Sequence, residues 1–287
     1  MTDGVRSVTV LSHTRPEETG DALRTLISVA RRLGVTVRLD PEETRKYGLE
    51  PGDGLALDAP VSDDAHVCVA LGGDGTILRA LRRYAGTGVP VFAVNYGEVG
   101  FLATVDPDHD VSSELERALT GDFETLLLPA IALDTPRGPR AAINDLSIHR
   151  KVGGRVAQLS YAIDGEEVGR VRCDGLVIAT PAGSTGYNLA NGGPVMAWGV
   201  EGFAVSFIAP HSLTARALVV APSDLLSVHN RSKNEAVDIS LDGRPAGSLG
   251  PDESISASFE REAAGLAQVS GSSFYRRLRE KFGRLAS

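Results

Sequence analysis

Residues 67–78 constrain the fold of this chain more than any other stretch. The apolar run Val67–Leu71 predicts a buried strand, and from Ile77 onward apolar residues recur at helical spacing. Between them lies a run of three glycines, one acid and one hydroxyl residue, Gly72-Gly73-Asp74-Gly75-Thr76. A strand, a glycine turn and a helix in this order place side chains at the carboxyl edge of a sheet, where α/β proteins bind ligands.

The glycine turn suits a phosphate group. Glycines have no Cβ atom to hold a phosphate away, and their backbone N–H groups can face its oxygens. Asp74 is the one acid in the turn. Its carboxylate would repel phosphate, which indicates that it acts on a metal ion or on a hydroxyl proton. Because Asp-Gly is also a common turn pair, a purely structural role stays open at this point.

The composition is that of a soluble globular protein. The chain has 287 residues, of which 42% are apolar and 23% are charged, enough for one large domain or two medium ones. A net charge of −8 disfavours non-specific binding to nucleic acid or to an anionic membrane. No apolar run approaches the ~20 residues that cross a bilayer, and the first residues do not resemble a signal peptide. Cys68 and Cys173 lie in apolar runs and are interpreted as reduced core residues, so we expect a cytoplasmic protein.

The first 120 or so residues alternate between strand and helix patterns. Strands are predicted at residues 8–12, 35–39, 67–71 and 90–94, and helices after residue 14, from the glycine turn to residue 84, and at 111–119. Residues 41–66 contain several prolines and glycines and are predicted to form a loop with a little local structure. This alternation predicts a doubly wound, mostly parallel sheet.

The pattern changes near residue 129. From there to about residue 262, many short strands separated by turns predict a β-rich, sandwich-like domain. Residues 273–284 are helical again, with Phe274, Leu278 and Phe282 on one face and basic residues around them. We expect this helix to dock on the first domain rather than to bind nucleic acid, because the protein is acidic. The predicted domains are 1–126 with 265–287, which carries the glycine turn, and 127–264.

Residues 174–188 form a second glycine-rich segment, in which an apolar strand leads into a turn. Its hydroxyls, on Ser184 and Thr185, can bind ribose, phosphate or carboxamide groups, and Tyr187 can stack on a purine. A turn that only reverses the chain does not need this density of hydroxyls, so we predict a ligand site here. The pair Asn144-Asp145 suits an adenine edge or a ribose diol, although such a pair is also common in turns and helix caps.

Several common site signatures are absent from the sequence. It contains neither the Gly-x-Gly-x-x-Gly of Rossmann folds nor the Gly-x-x-x-x-Gly-Lys of P-loops. Ser184 lacks the Gly-x-Ser-x-Gly setting of a hydrolase nucleophile. The histidines show no metal-ligand spacing, and no metal site built from side chains is predicted; they are His13, His66, His109, His149, His211 and His229.

Taken in order, four motifs resemble those of the NAD kinases. They are the glycine turn, residues 95–102, the pair Asn144-Asp145, and residues 174–194; residues 210–216 and 274–283 also match. The resemblance covers nearly the whole chain. Diacylglycerol kinases, sphingosine kinases and phosphofructokinases share the core of the first motif, whereas the long fourth motif is specific.

The resemblance implies a fold, a reaction and its partners. An α/β N-terminal domain, a β-rich C-terminal domain and a chain end that returns to the first domain are expected. The expected reaction transfers the γ-phosphoryl of ATP, or of polyphosphate, to the 2′-hydroxyl of the adenosine ribose of NAD, giving NADP. NAD is then a substrate rather than a redox cofactor, and Mg²⁺ or Mn²⁺ accompanies ATP. A homodimer or homotetramer is expected, without nucleic-acid or membrane partners.

The resemblance also implies roles for individual residues. Asp74 is the expected general base, and Gly72, Gly73, Gly75 and Thr76 are the expected phosphate or ATP contacts. The expected NAD-binding residues are Asp74, Gly75, Phe101, Asn144, Asp145, Arg172, Asp174, Thr185, Gly186 and Tyr187. Of these, Asn144, Asp145, Thr185 and Tyr187 would hold the adenosine half. Asp174 and Gly186 would lie near the carboxamide, Phe101 would line the pocket, and Arg172 would accompany a preference for NAD over NADH.

The sequence departs from the family pattern at four positions. Asp145 stands where Glu is more common, and Ala182, Ala190 and Ala217 replace Thr, Ser and Pro.

Two other functions are alternatives to an NAD kinase. The hydroxyl-rich second loop argues against a lipid or sugar kinase of the same superfamily, and the intact Asp74 argues against a non-catalytic NAD(P)-sensing module.

Overall fold

A computed structural model describes residues 5–97, 100–105, 110–135, 138–270 and 273–283 of the chain. His109, residues 98–99 of the second motif and Arg284 of the predicted C-terminal helix lie outside the described residues. The chain divides into two compact units. Unit one comprises Met1–Leu127 with Ala264–Ser287, and unit two comprises Leu128–Ala263.

The elements of unit one alternate between strand and helix. In chain order they are β1 (Ser7–Ser12), a 3₁₀ turn (Pro16–Glu18), α1 (Gly20–Leu33), β2 (Thr36–Arg38), α2 (Pro41–Tyr47), β3 (Leu55–Ala56), β4 (Val67–Leu71), α3 (Asp74–Arg83), β5 (Pro90–Val94) and α4 (Val111–Thr120). The chain then passes through unit two and ends with α6 (Phe274–Phe282).

The elements of unit two are almost all strands. They are β6 (Glu124–Thr135), β7 (Gly138–Ala142), β8 (Asp145–Arg150), β9 (Ala157–Ile163), β10 (Glu166–Cys173), β11 (Gly175–Ala179), a 3₁₀ turn (Gly183–Thr185), α5 (Tyr187–Ala190), β12 (Phe203–Ile208), β13 (Leu218–Val220), β14 (Leu226–Asn230), β15 (Val237–Leu241), β16 (Arg244–Leu249) and β17 (Ser254–Gln268). The first residues of β6 and the last residues of β17 belong to unit one.

The sheet of unit one is parallel, with strand order β3-β2-β1-β4-β5 followed by the end of β17. Helices cover both of its faces. Leu26 of α1 and Leu115 of α4 join one core with Val10 and Val69, whereas α3 lies on the other face, where Tyr84 Oη donates to Thr9 Oγ1 at 3.1 Å. The predicted doubly wound sheet is therefore confirmed, and β4 lies at its centre with all five residues buried.

The prediction of a loop over residues 41–66 was wrong in part, because α2 lies there. Asp40 caps this helix by accepting a hydrogen bond from Glu43 N at 2.9 Å, and Pro41 occupies its first position, where a missing N–H costs nothing. Glu43 is buried, and it accepts from Ser12 N at 3.0 Å and from Lys46 Nζ at 2.9 Å. These bonds anchor α2 to the carboxyl end of β1.

Unit two is a pair of antiparallel layers. One sheet has the order β13-β12-β11-β8-β15-β16, and the other contains β10-β9-β14 and the first part of β17. Inward residues of both, such as Ile148 and Val205 from the first and Leu159 and Val228 from the second, share one core. The predicted β-rich fold is confirmed. None of the described helices is long and apolar enough to cross a membrane.

Candidate functional site

The glycine turn of unit one joins β4 to α3 at the carboxyl edge of the sheet. Gly73 caps the helix, and Asp74 is its first residue. A Cβ atom on Gly72 would lie 2.8 Å from Thr76 Cβ, so the buried Thr76 side chain occupies the space that the glycine leaves. Gly72 N donates to Val94 O at 3.0 Å. Of the predicted phosphate contacts, Gly72 therefore contributes space rather than a free N–H.

The neighbouring loop after β5 packs directly against this turn. A Cβ atom on Gly97 would lie 2.8 Å from Gly73 Cα, and Gly97 N donates to Asn95 Oδ1 at 3.0 Å. Glycine thus faces glycine where two loops leave adjacent parallel strands. Around Gly75 an added Cβ would meet nothing within 4 Å, so this part of the turn faces open space. That space can accept a ligand against the first turn of α3.

The Asp74 carboxylate is held by backbone N–H groups. Phe101 N donates to Oδ2 at 3.0 Å, and Leu102 N donates to Oδ1 at 3.4 Å. A Cβ atom on Gly100 would overlap the carboxylate, since it would lie 2.7 Å from Oδ2 and closer still to Oδ1 and Cγ. Two N–H donors and one glycine thereby set the direction of the acid. A carboxylate aligned in this way can accept a proton from a hydroxyl placed against it.

Phe101 lies beneath the C-terminal helix. Its ring is 8% exposed and lies 5.7 Å from the Phe282 ring and 4.5 Å from Lys281 Nζ, measured to ring centroids. Arg277 of the same helix donates to Phe101 O at 3.3 Å and to Thr104 O at 3.1 Å. In unit one, α6 thus supports the loop whose N–H groups hold Asp74.

In unit two, one face of β8 carries polar side chains. Leu146 and Ile148 point into the core, so the alternating residues Asp145, Ser147 and His149 line the opposite face. β8 pairs with β11, with Asp145 opposite Ala179 and His149 opposite Gly175. The predicted residues before and after β11 therefore lie at opposite ends of this strand pair.

Asn144 and Asp145 present acceptors that lack donors. Asn144 Oδ1 is buried without a hydrogen-bond partner, and among the described residues no group donates to the Asp145 carboxylate. Burial, and to a lesser extent the nearby Asp242 carboxylate, together raise the pKa of Asp145 to about 6. Two adjacent acceptors without donors suit a ligand with neighbouring hydroxyls.

The segment after β11 is organised by its own hydrogen bonds. Ser184 is fully buried, its hydroxyl donates to Pro181 O at 2.7 Å, and it accepts from Met196 N at 2.9 Å. The sequence-based expectation that the Ser184 hydroxyl binds ligand was wrong. Asn188 is also internal, and it donates to Ser184 O at 3.0 Å. This framework leaves Thr185 partly exposed, with its hydroxyl 3.4 Å from Ala182 O.

Tyr187 lies over the polar face of β8. Gly186 precedes it as the cap of α5, and the Tyr187 ring stacks on His149 at 5.6 Å between centroids with 22° between planes. His149 in turn lies 2.8 Å from Ser147 Oγ through Nε2. Burial raises the pKa of Tyr187, and the charges of Asp145 and Asp174 add to that shift, so both acids lie near the ring. Tyr187 is 37% exposed, which leaves ring surface for a base.

Asp174 and Arg172 lie at the other end of the strand pair. Asp174 Oδ1 accepts from Arg150 Nε at 2.6 Å, and both border an open cavity of about 990 Å³. Arg172, Arg155 and Lys233 also line this cavity. The structure therefore brings Asn144, Asp145, Tyr187 and Asp174 along one strand pair of unit two, while Asp74, Gly75 and Phe101 belong to unit one.

Three residues of the site were not predicted from the sequence. Gly100 leaves the space that the Asp74 carboxylate occupies, the His149 ring stacks on Tyr187, and Asp242 accepts hydrogen bonds from the backbone of residues 143–145. The alternation of Asp145, Ser147 and His149 along a strand was the one signal that could have suggested His149. In the described parts of the chain, no group of three or more His, Cys, Asp or Glu side chains could hold a metal ion.

A carboxylate in a glycine turn of unit one and a polar strand face of unit two that suits a nucleoside are features typical of enzymes that act on nucleotides. Models of the ATP-NAD kinase N-terminal and C-terminal domains match residues 37–123 and 143–264. The chain therefore belongs to the NAD kinase family, and it is an enzyme that phosphorylates NAD. The resemblance seen in the motifs is confirmed.

Relatives and solved structures agree with this family. An NAD kinase of Gemmatimonas aurantiaca is 32% identical over 91% of this chain and 90% of the relative. An NAD kinase of Symbiobacterium thermophilum is 34% identical over 86% of this chain and 88% of the relative. A yeast NADH kinase complexed with NADH has the same fold, with a TM-score of 0.86 at 23% identity over 100% of this chain and 90% of that chain. An Archaeoglobus fulgidus NAD kinase in complex with ATP gives a TM-score of 0.72 at 24% identity over 96% and 98%.

Proposed function

We propose that this enzyme transfers the γ-phosphoryl group of ATP to the 2′-hydroxyl of the adenosine ribose of NAD, giving NADP, with Asp74 as the general base. The observation that carries the proposal is the Asp74 carboxylate, which two backbone N–H groups orient at the start of α3. In this reaction the 2′-oxygen bonds to the γ-phosphorus, the bond to the β,γ-bridging oxygen breaks, and ADP leaves. The hydroxyl proton passes to Asp74.

A carboxylate suits this step because phosphoryl transfer depends mainly on position and charge. A ribose hydroxyl is a poor nucleophile, and a carboxylate within hydrogen-bond reach orients it and takes its proton late. Such assistance contributes about 10²- to 10⁴-fold to the rate. The open space beside Gly75 supports phosphate binding by Gly73, Gly75 and Thr76 at the start of α3.

We assign the adenosine half of NAD to Asn144, Asp145, Thr185 and Tyr187. No group in the described parts of the chain donates to the side-chain acceptors of Asn144 and Asp145, which supports a hydroxyl-bearing ligand, and the exposed Tyr187 surface supports a stacked adenine. Asp174 and Gly186 are assigned to the carboxamide end. Arg172 and Phe101 keep their proposed roles in NAD preference and in lining the pocket.

A divalent ion, Mg²⁺ or Mn²⁺, is proposed to arrive with the ATP phosphates and to neutralise their charge. Mg²⁺ is commonly held by substrate phosphates, waters and one or two carboxylates rather than by a protein cage. The described residues offer no group of three ligands, and Asp74 is the acid nearest the proposed phosphate contacts in sequence. Polyphosphate as an alternative donor and a homodimer or homotetramer are further proposals taken from the family resemblance. A cytoplasmic location is a further proposal, taken from the two reduced cysteines.

The test identifies the reaction product and the ribose oxygen that carries the new phosphate. The purified protein with ATP, Mg²⁺ and NAD is expected to yield a product that an NADP-specific dehydrogenase accepts, and phosphorus NMR is expected to place the new phosphate on the 2′-oxygen. Asp74→Asn is expected to lower kcat about 10²- to 10⁴-fold while NAD still binds. A phosphate on another oxygen, or an Asp74→Asn variant with normal kcat, would overturn the proposal.

A further inference from the structure

Asp242 supplies hydrogen bonds to the segment that carries Asn144 and Asp145. Its Oδ1 accepts from Asn144 N at 2.7 Å and from Asp145 N at 3.2 Å, and its Oδ2 accepts from Ile143 N at 3.2 Å. Asp242 N donates back to Asp145 O at 2.8 Å. One side chain therefore satisfies three successive backbone donors, about 100 residues away along the chain.

These donors lie past the end of the pairing between β8 and β15. The pairing of β8 with β15 ends at Leu146 opposite Leu241, so residues 143–145 lie beyond its last pair. Ile143 and Asp145 are buried, where an unpaired N–H is costly. The Asp242 carboxylate takes the place of a strand at this end of the sheet.

The carbonyl side of the same segment is held by the loop after β11. Thr180 N donates to Asn144 O at 2.9 Å, and Thr180 Oγ1 donates to Ile143 O at 2.6 Å. Gly183 packs so closely on Asn144 O that a Cβ atom there would overlap it. The backbone of residues 143–145 is therefore held between Thr180 on one side and Asp242 on the other.

We propose that Asp242 is a positioning residue for NAD, which acts by holding the bend that presents the Asn144 and Asp145 side chains to the adenosine half. This inference rests on the proposed function, in which those two side chains contact NAD. In this role Asp242 acts through the backbone N–H groups of the bend. Its charge also lies beside Asp145 and raises the pKa of that carboxyl. Asp242 thus affects both the position and the proton affinity of the Asp145 carboxyl group.

The chain contains a matched control for Asp242. Asp242-Gly243 forms the turn between β15 and β16 with φ values of 48° and 71°, and Asp164-Gly165 forms the turn between β9 and β10 with φ values of 50° and 85°. Both are two-residue hairpin turns with positive φ. Asp164 Oδ1 accepts one hydrogen bond, from Leu225 N at 3.0 Å, and does not touch residues 143–145. Asp164→Ala therefore removes the same side chain from the same kind of turn.

The experiment compares steady-state kinetics of the full-length variants. Asp242→Ala is expected to raise KM for NAD about 10- to 100-fold, the range expected for losing hydrogen bonds to a charged acceptor, with KM for ATP unchanged. Asp242→Asn keeps an oxygen that can accept from Asn144 N and Asp145 N, so a smaller increase is expected. Asp164→Ala is expected to leave both KM values within about twofold, the usual effect of a surface change.

A pH profile separates positioning from a general loss of stability. Asp242→Asn removes the charge beside Asp145 and so lowers the pKa of Asp145. The acid limb of the pH profile, where KM for NAD rises as the pH falls, is therefore expected to move to lower pH. Among the described residues, Tyr187 also senses the charge of Asp145, and it is unchanged in this variant. If Asp242→Ala does not fold, the pH profile and KM of Asp242→Asn still decide the question.

The outcomes also separate this inference from the proposed function. Asn144→Ala and Asp145→Ala are measured alongside. If these two raise KM for NAD while Asp242→Asn changes neither KM nor the acid limb, the positioning role is refuted and the NAD site stands. If neither Asn144→Ala nor Asp145→Ala affects KM for NAD, the proposed site itself falls. An equal increase in KM in Asp164→Ala and Asp242→Ala would show that only the turn matters, and would refute the inference.

Discussion

Gly100 is predicted to control catalysis through the position of Asp74. In Gly100→Ala the new methyl group would overlap the Asp74 carboxylate, far inside the 3.0 Å below which real Cβ contacts are essentially absent. Gly100 does not adopt a positive φ, so alanine meets no backbone strain and the effect is confined to this contact. The carboxylate must therefore move, or the loop carrying Phe101 N must withdraw from it.

The expected magnitude follows from the size of that movement. A displacement of roughly 1 Å at a reacting group costs on the order of 10²-fold in rate, or about 2.7 kcal/mol in the activation free energy. We therefore expect kcat of Gly100→Ala to fall about 100-fold, with KM for NAD and ATP changed far less. The hydrogen bonds of Phe101 N and Leu102 N to Asp74 weaken at the same time, at about 1 kcal/mol each.

The assay is initial-rate formation of NADP, with thermal denaturation to confirm folding. Gly199→Ala serves as the control, since an added Cβ there meets nothing within 4 Å and its φ is not positive. The double variant Gly100→Ala with Asp74→Asn tests the route of the effect. If Gly100 acts through Asp74, the double variant is no slower than Asp74→Asn alone. A Gly100→Ala enzyme with kcat within threefold of the original, or two effects that multiply, would refute the reasoning.

Two further predictions concern unit two. The pKa of Asp145, raised from 3.8 to about 6 by burial and then by Asp242, means that the folded protein binds this proton more tightly than the unfolded chain does. The protonated Asp145 therefore stabilises the folded state fully below about pH 4, and this stabilisation is lost as the pH rises through about 6. In urea denaturation, Asp145→Asn should have a free energy of unfolding up to about 3 kcal/mol larger than the original protein at pH 7 and an equal one near pH 4. Tyr187→Ala should raise KM for NAD about tenfold, while Tyr187→Phe, which keeps the stacking surface, should not. An equal effect of the two Tyr187 variants on KM would contradict stacking.

Much of unit one could be predicted because its signals are local. The run Val67–Leu71, the glycine turn and the helical spacing after Ile77 all lie within about fifteen residues, and the structure places them as β4, the turn and α3. The error at residues 41–66 came from counting prolines as loop signals. Pro41 follows Asp40 and precedes two glutamates, which is the pattern of a helix start.

The site in unit two was harder to predict because its contacts span long distances along the chain. The sequence predicts a role for Asn144 and Asp145, but nothing near Asp242 in the sequence indicates that it binds their backbone 97 to 99 residues away. Ser184 was misread for the complementary reason. Its hydroxyl resembles a ligand contact in the sequence, but Met196 N and Pro181 O already occupy it. Local pattern identifies which groups are polar, and only the fold shows which of them remain unpaired.

The two units orient their acids in the same physical way. Asp74 is held by the N–H groups of two residues on a neighbouring loop, and Asp242 holds the N–H groups of three. A hydrogen bond between a carboxylate and a backbone N–H is charge-assisted and directional, so it ties a flexible side chain to the main chain. Each arrangement also requires a glycine at closest approach, Gly100 beside Asp74 and Gly183 beside Asn144. The glycines of these motifs therefore matter beyond phosphate binding, because Gly100 leaves room for a carboxylate and Gly183 leaves room for the backbone that carries Asn144.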